Sequence, residues 1–333
     1  WNALISGYTK QGCAEEALNR FQQMRVQNVS PDAVTFACTL KACGNVRAFQ
    51  KGYEIQCEIT KRGLLDNDPT LSNAVVDMYA GFGLLKEAEE MFDKLKVRDI
   101  VSWTTLLSGY AEYGYSKEAL ECLKQMQNEG IFLNEITFLW ILKACCNSRD
   151  VIMGQESHAN ITKMGLEREV LIGNTLVDLY AKCGLFVMAQ ETFHNLPSQD
   201  TVTWNALISG YAEHGYSDQA LRCHEEALHE GVYMNAITYF SVLKSCANLK
   251  AIAKGKELHA EIATKGLELE KFTANMLINM YAKCGSLAEA QQIFDTLPCR
   301  DINSWNVVIE GYGSHAYYKE ALDCFVHMHN EGC

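Results

Sequence analysis

The chain has 333 residues, 48% of them hydrophobic and only four of them proline, enough to bury a core across two ordinary domains or along one quasi-linear array. No apolar run approaches the ~18 residues of a membrane-spanning helix, and the fourteen cysteines include no Cys-x-x-Cys pair, the commonest zinc and thiol-redox spacing. Taken alone, the formal net charge of −12 argues against a nucleic-acid partner, because phosphate binding normally wants a basic field.

In chain order, the first hairpin, 1–32, opens with Trp1-Asn2-Ala3-Leu4-Ile5-Ser6-Gly7-Tyr8, which recurs word for word at 204–211. The tryptophans Trp1, Trp103, Trp204 and Trp305 are 102, 101 and 101 residues apart, so a block of about 101 residues repeats. Hairpins 33–68 and 69–99 complete the first block, with one extra residue near Asp66-Asn67-Asp68 assigned to an exposed turn. The second block divides into 100–134, 135–169 and 170–200, the third into 201–235, 236–270 and 271–301, and a last hairpin occupies 302–333.

Within 201–235, Trp204, Leu207, Ile208 and Tyr211 fall at i, i+3, i+4 and i+7, one stripe of a first helix. Gly215 ends that helix, and Ser217 is assigned as the N-cap of the second. The second helix carries the recurring pairs Ala17-Leu18, Ala119-Leu120, Ala220-Leu221 and Ala321-Leu322. No segment alternates like a strand, so the fold class is all-α. Tyr8, Tyr110, Tyr211 and Tyr312 lie with the tryptophans on the apolar stripe and are assigned to the core, and Gly109 and Gly210 to close helix packing. The third block departs from its sisters, with His224 where they have Phe21, Leu123 and Phe325, and Ala227 where they have Met24, Met126 and Met328. This marks a looser hairpin interface and not a site. Most cysteines recur with the repeat, as Cys43, Cys145 and Cys246 do, and are read as free, buried thiols of a reducing compartment.

The segments Trp204-Asn205-Ala206-Leu207-Ile208-Ser209-Gly210-Tyr211, Val242-Leu243-Lys244-Ser245-Cys246-Ala247 and Met280-Tyr281-Ala282-Lys283-Cys284-Gly285 resemble the pentatricopeptide repeat family. The cycle of 35, 35 and 31 residues resembles its PLS subclass, in which ordinary (P), long (L) and short (S) motifs alternate. On that resemblance 1–32, 100–134, 201–235 and 302–333 are P motifs, the first and last partial. Hairpins 33–68, 135–169 and 236–270 are then L motifs, and 69–99, 170–200 and 271–301 S motifs. The implied fold is a right-handed superhelical α-solenoid of tandem helix-turn-helix units. The implied partner is single-stranded RNA in a plant mitochondrion or chloroplast, with a targeting segment outside this chain.

In the family one base is read per repeat, by a polar residue of the first helix together with the last residue of the motif. Carried over, the resemblance implies that Asn2 acts with Asp32, Asn73 with Asp99, Asn174 with Asp200 and Asn275 with Asp301, all for U. It pairs Thr104 with Asn134 for A and Asn205 with Asn235 for C over U, while Asn306 opens a motif whose partner residue the chain does not reach. The L motifs place Ala37, Leu139 and Phe240 at the reading position, with Asp68, Glu169 and Glu270 at their ends. Apolar side chains cannot bond a base edge, so these motifs are taken as spacers, and the expected ligand is 5′-U-n-U-A-n-U-C-n-U-(Y)-3′. Val101, Leu171, Val202 and Phe272, three positions before their readers, are the expected base clamps, whereas Thr70 and Asn303 lack the usual aliphatic surface. Lys10, Lys182 and Lys283 are candidate phosphate contacts, a place taken elsewhere by Glu112 and Glu213.

Relatives of the subclass often end in a zinc deaminase with His-x-Glu and Pro-Cys-x-x-Cys elements. His224-Glu225-Glu226 matches the first by chance, and Pro298-Cys299 is followed by Arg300, Asp301 and Ile302, so no cysteine pair completes the second. No catalytic residue, metal or cofactor is expected in this chain. Any editing or processing activity would come from beyond it or from a factor in trans, and no membrane or small-molecule substrate is implied. The rival reading is a protein-binding helical scaffold, favoured by the charge of −12 and by the non-reading L motifs.

Overall fold

The computed structural model describes residues 1–65, 68–266, 270–298 and 300–330, and all regular secondary structure among them is α-helix. The helices group into two compact units, Trp1–Glu167 and Arg168–Cys333. The first contains α1 (Asn2–Lys10), α2 (Ala14–Val26), α3 (Ala33–Val46), α4 (Phe49–Lys61), α5 (Pro69–Phe82), α6 (Leu85–Asp93), α7 (Ile100–Glu112), α8 (Ser116–Asn128), α9 (Glu135–Ser148) and α10 (Val151–Lys163). The second contains α11 (Val170–Lys182), α12 (Phe186–Asn195), α13 (Thr201–Glu213), α14 (Ser217–His229), α15 (Ala236–Leu249), α16 (Ile252–Thr264), α17 (Lys271–Lys283), α18 (Leu287–Thr296), α19 (Ile302–Ser314) and α20 (Tyr318–Asn330).

In each unit the odd-numbered helices stack on one another in order, α1 to α9 and α11 to α19, and each even-numbered helix packs on its own hairpin partner. Several even helices also touch the next odd one, as α2 does α3 and α14 does α15. The architecture is an all-α helical-repeat solenoid, in which a hairpin buries its apolar face only against its neighbours.

The tryptophans seal those contacts. Trp103, Trp204 and Trp305 are buried, and each meets the Phe of the preceding hairpin (Phe92, Phe193 and Phe294) edge-to-face with ring centroids 4.6 Å apart. Tyr110 and Tyr211 are buried beside them, while Tyr8 and Tyr312 are half-buried. Gly109 and Gly210 do allow close approach. A Cβ on Gly109 would lie 2.9 Å from the Ala80 Cβ, and one on Gly210 only 2.5 Å from the Ala181 Cβ.

Ser217 is not an N-cap. It is the first helical residue of α14, buried, with Tyr216 in the cap position and no side-chain cap bond. The hydroxyl is instead approached by the Asn248 amide, at 3.4 Å. His224 occupies the apolar position of α14 with 0% exposure and neither ring nitrogen hydrogen-bonded. Cys43, Cys122, Cys145, Cys146, Cys223 and Cys246 are buried, and burial pushes the Cys122, Cys223 and Cys246 thiols up to about 12. Such thiols act as small hydrophobes. The extra turn residues Asp66 and Asn67, and Cys299 of the deaminase comparison, lie outside the described residues.

Candidate nucleic-acid interface

The last residue of a hairpin is also the first device of the next. Asp32, Asp99, Asn134, Asp200, Asn235 and Asp301 each stand at the N-cap of the following odd helix and accept the N–H of the residue three positions on. That third residue is always Thr or Ser (Thr35, Ser102, Thr137, Thr203, Thr238 or Ser304), and its hydroxyl accepts the cap N–H in return. This reciprocal box satisfies two helix-end N–H groups at once. Asp68 caps α5 through the Thr70 and Leu71 N–H groups, whereas Glu169 and Glu270 make no side-chain cap bond.

The capping side chains then reach back to the preceding odd helix. Asn2 Nδ2 donates to Asp32 Oδ2 at 2.7 Å, Asn174 Nδ2 to both Asp200 oxygens at 3.1 and 3.2 Å, and Asn205 Nδ2 to Asn235 Oδ1 at 3.1 Å. The Asn275 amide helps hold the Asp301 carboxyl below its ordinary range, after the larger effect of the Ser304 N–H. At Asp32 the Thr35 N–H is the main cause of the same downward shift, followed by the Asn2 amide. Burial pushes Asp200 upward, but the Thr203 N–H and hydroxyl and the Asn174 amide outweigh it, and the net shift is downward. Asn73 and Asp99 share the wall of one groove, and Thr104 and Asn134 share a smaller one, but no direct hydrogen bond joins either pair among the described residues. Thr104 instead donates its hydroxyl proton to the Ile100 carbonyl, at 2.6 Å. Asn174, Asn205 and Asn275 are only 6–9% exposed, so they are not ordinary surface amides. Asn306 is exposed.

Large apolar side chains flank these pairs in the open. Val101, Leu171, Val202 and Phe272 are 54–62% exposed. A cavity of about 190 Å³ is lined by Thr104 and Asn134 together with Val101 and Ile136. A wider groove of about 700 Å³ runs over Asn73 and Asp99 and includes Lys10 and Lys41 from α1 and α3. Phe272 is not open on both faces, because Phe240 stacks on it with centroids 5.5 Å apart. Of the candidate phosphate contacts, Lys10 and Lys283 are exposed, while Lys182 is tied to Asp178 at 2.7 Å on its own helix.

Profiles described as the PPR repeat family match residues 1–45, 98–147 and 199–248, and those described as the PPR repeat match 71–100, 174–199, 272–302 and 303–333. The chain belongs to the pentatricopeptide repeat family. An Arabidopsis thaliana chloroplastic pentatricopeptide repeat-containing protein is 35% identical over 333 residues, covering 100% of this chain and 54% of the relative. A mitochondrial one from the same plant is 32% identical over 328 residues, covering 98% of this chain and 54% of the relative. The chain thus spans about half the length of the curated relatives it matches. The pentatricopeptide repeat protein PPR10, solved in complex with an 18-nucleotide psaJ RNA element, superposes with a TM-score of 0.72 at 20% identity, over 99% of this chain and 55% of that one. That likeness is one of fold.

Two features of this pentatricopeptide array escaped the sequence reading. Val34, Ile136 and Ile237 are 54–60% exposed and stand three positions before Ala37, Leu139 and Phe240, in the register of the expected clamps. Calling their hairpins spacers hid the register. The capping of the next helix by the last residue of a hairpin was also missed, although Asp/Asn-x-x-Thr/Ser at six hairpin junctions is its signature.

Proposed function

We propose that this chain binds single-stranded RNA in a plant organelle and reads one base at each P or S hairpin. The carrying observation is the set of Asn2–Asp32, Asn174–Asp200 and Asn205–Asn235 bonds, together with the exposed aliphatic residues of the same register. An amide offers two N–H groups and two lone pairs. In Asn2 one N–H goes to Asp32 and one lone pair to the Thr35 hydroxyl, leaving one donor and one acceptor side by side. Uracil presents the complement, an N3–H beside a carbonyl. Thr104 has spent its only proton on Ile100 and offers acceptance, while Asn134 Oδ1 is filled by Thr137 and leaves its Nδ2 to donate. That pattern matches the amino group and ring nitrogen of adenine. Asn235 likewise presents an Nδ2 donor where Asp200 presents a carboxylate, which suits the N3 lone pair of cytosine over the N3–H of uracil. The exposed Val, Leu, Ile and Phe side chains give each base an apolar face, and such stacking contributes about 1–3 kcal/mol per base.

The roles of these residues, the division into P, L and S motifs, and the ligand 5′-U-n-U-A-n-U-C-n-U-(Y)-3′ belong to this reading. So does the task of positioning an RNA-processing activity, C-to-U editing among them, that a partner or further domain supplies. The charge of −12 and the engagement of Lys182 by Asp178 favour the second reading, a scaffold for protein segments. Titration of a labelled RNA of the stated sequence against a scrambled control separates the two. Tighter binding of the matched RNA is the expected outcome; equal or absent binding of both leaves the scaffold.

A further inference from the structure

In the six odd helices with a reciprocal box the third residue is either Thr or Ser, and the amides of the preceding hairpins divide with it. Where it is Thr and the preceding hairpin supplies an Asn, its hydroxyl lies between its own cap's Oδ1, which the Thr N–H already holds, and the amide oxygen of that Asn, the shorter contact in each case. Thr35 reaches Asn2 Oδ1 at 2.6 Å and Thr203 reaches Asn174 Oδ1 at 2.6 Å, and Thr238 is bonded to Asn205 Oδ1 in the same way. Where it is Ser, the hydroxyl turns inward to its own cap. Ser102 donates to the Asp99 carbonyl and Ser304 to the Asp301 carbonyl, both at 2.8 Å. The cap N–H distances follow the same split, 2.9 and 2.8 Å to the two serines but 3.4, 3.2 and 3.3 Å to Thr35, Thr203 and Thr238. The extra methyl of Thr restricts χ1 and holds the hydroxyl farther from the cap backbone, where the amide can take its proton. The consequence at Asn275 is direct: its Oδ1 is buried with no hydrogen-bond partner, in a side chain 7% exposed.

We propose that this Thr or Ser is a positioning residue that sets how strictly the preceding Asn discriminates its base. This rests on the RNA reading above. With Thr, both ends of the amide are held, so its remaining N–H and lone pair face the groove in one orientation. With Ser, one end is unheld and the amide can present either group outward. Asn2, Asn174 and Asn205 therefore read strictly, and Asn73 and Asn275 read loosely, although the hydroxyl residues behind them differ only by a methyl.

The test is the exchange Ser304→Thr with its mirror Thr203→Ser, both of which keep the capping box and hence the fold. Side-chain NH₂ exchange measured by NMR in the RNA-free chain reports the lock itself. It should slow at Asn275 in Ser304→Thr and quicken at Asn174 in Thr203→Ser, and unchanged exchange in both overturns the lock. Binding of RNAs differing only at the ninth or sixth nucleotide reports its use. Preference for U at the ninth should sharpen about fivefold in Ser304→Thr, and at the sixth relax about fivefold in Thr203→Ser, one net hydrogen bond in each case. A changed lock with unchanged base preference, or an effect spread over all nucleotides, overturns the specificity role. If the unaltered chain binds no RNA, the reading of function falls, and the exchange rates still decide whether the hydroxyl holds the amide.

Discussion

Thr104→Asn isolates base reading from folding better than any change at the capping residues. The box below it is untouched: the Thr137 N–H and hydroxyl already hold Asn134 Oδ1, at 2.9 and 2.8 Å. An Asn at position 104 would meet Asn134 and Thr137 as Asn205 meets Asn235 and Thr238, so the hairpin becomes a copy of the one at 201–235. The substitution gives up the bond from Thr104 to the Ile100 carbonyl, which bends against the helix's own ladder and stabilises little. It exchanges an acceptor for an amide reaching farther into the groove of about 190 Å³, which brings a pyrimidine edge within range and crowds a purine. Matching or mismatching one paired edge changes discrimination by about 1–3 kcal/mol, or about 5–150-fold. Fluorescence anisotropy with RNAs differing only at the fourth nucleotide, at one fixed salt concentration, gives the ratio. The original chain should rank A first and the variant C or U first, with other positions unmoved. An unchanged ranking at the fourth nucleotide would refute the assignment of Thr104 and Asn134 as a reading pair.

His224→Leu should raise stability by about 1–3 kcal/mol in urea melts, because two buried ring nitrogens no longer lack partners. Burial also holds His224 below its ordinary 6.5, the nearby Glu261 and Glu225 opposing and Lys254 and Lys265 reinforcing, so the original chain loses stability as pH falls below 6.5 while the variant lacks that loss, which is at most about 1.4 kcal/mol per pH unit. Gly210→Val drives a side chain into Ala181 and should cost about 1–3 kcal/mol in the same melts, whereas the change at Gly7, with open space around it, should cost less. Binding affinity plotted against salt should have a log–log slope between about −1.4 and −2.1, from two or three lysine–phosphate contacts, and a slope steeper than about −4 would mean that phosphate charge and not base contact holds the RNA.

The fold was legible because the array repeats: a helix stripe seen once in 204–211 is confirmed by its echoes, and each echo must bury the same face. The close approach at Gly109 and Gly210 and the burial of Trp103 and Trp204 follow from that face alone. Ser217 failed as a cap because a Ser next to a glycine turn satisfies the local signature, yet the chain enters α14 one residue earlier and packs Ser217 inside. The positions of Asn2, Asn174 and Asn205 were legible, but their burial and bonds were not. A helical wheel places each residue on a face of its own helix and is blind to a partner 26–30 residues away. Lys182 shows the same limit, since its i−4 neighbour Asp178 competes for the charge a phosphate would use.

On the proposed RNA reading, capping and base reading fall to one side chain, which has a physical consequence for the whole surface. Asp32, Asp200 and Asn235 cannot leave the groove without undoing a helix start, so each reading amide is oriented when its hairpins dock and not when a ligand arrives. The ordering cost that association ordinarily carries for each immobilised polar side chain, about 0.5–1.5 kcal/mol, is then met in folding at those positions. An array with so few exposed lysines in the groove needs that economy, because stacking and edge bonds must supply what charge does not. The same coupling explains why substitution of the caps is a poor probe of recognition. Asp200→Ala removes a carboxylate from the base edge and also a helix cap worth about 0.5–2 kcal/mol, so its effect on RNA binding mixes two causes that Thr203→Ser and Thr104→Asn keep apart.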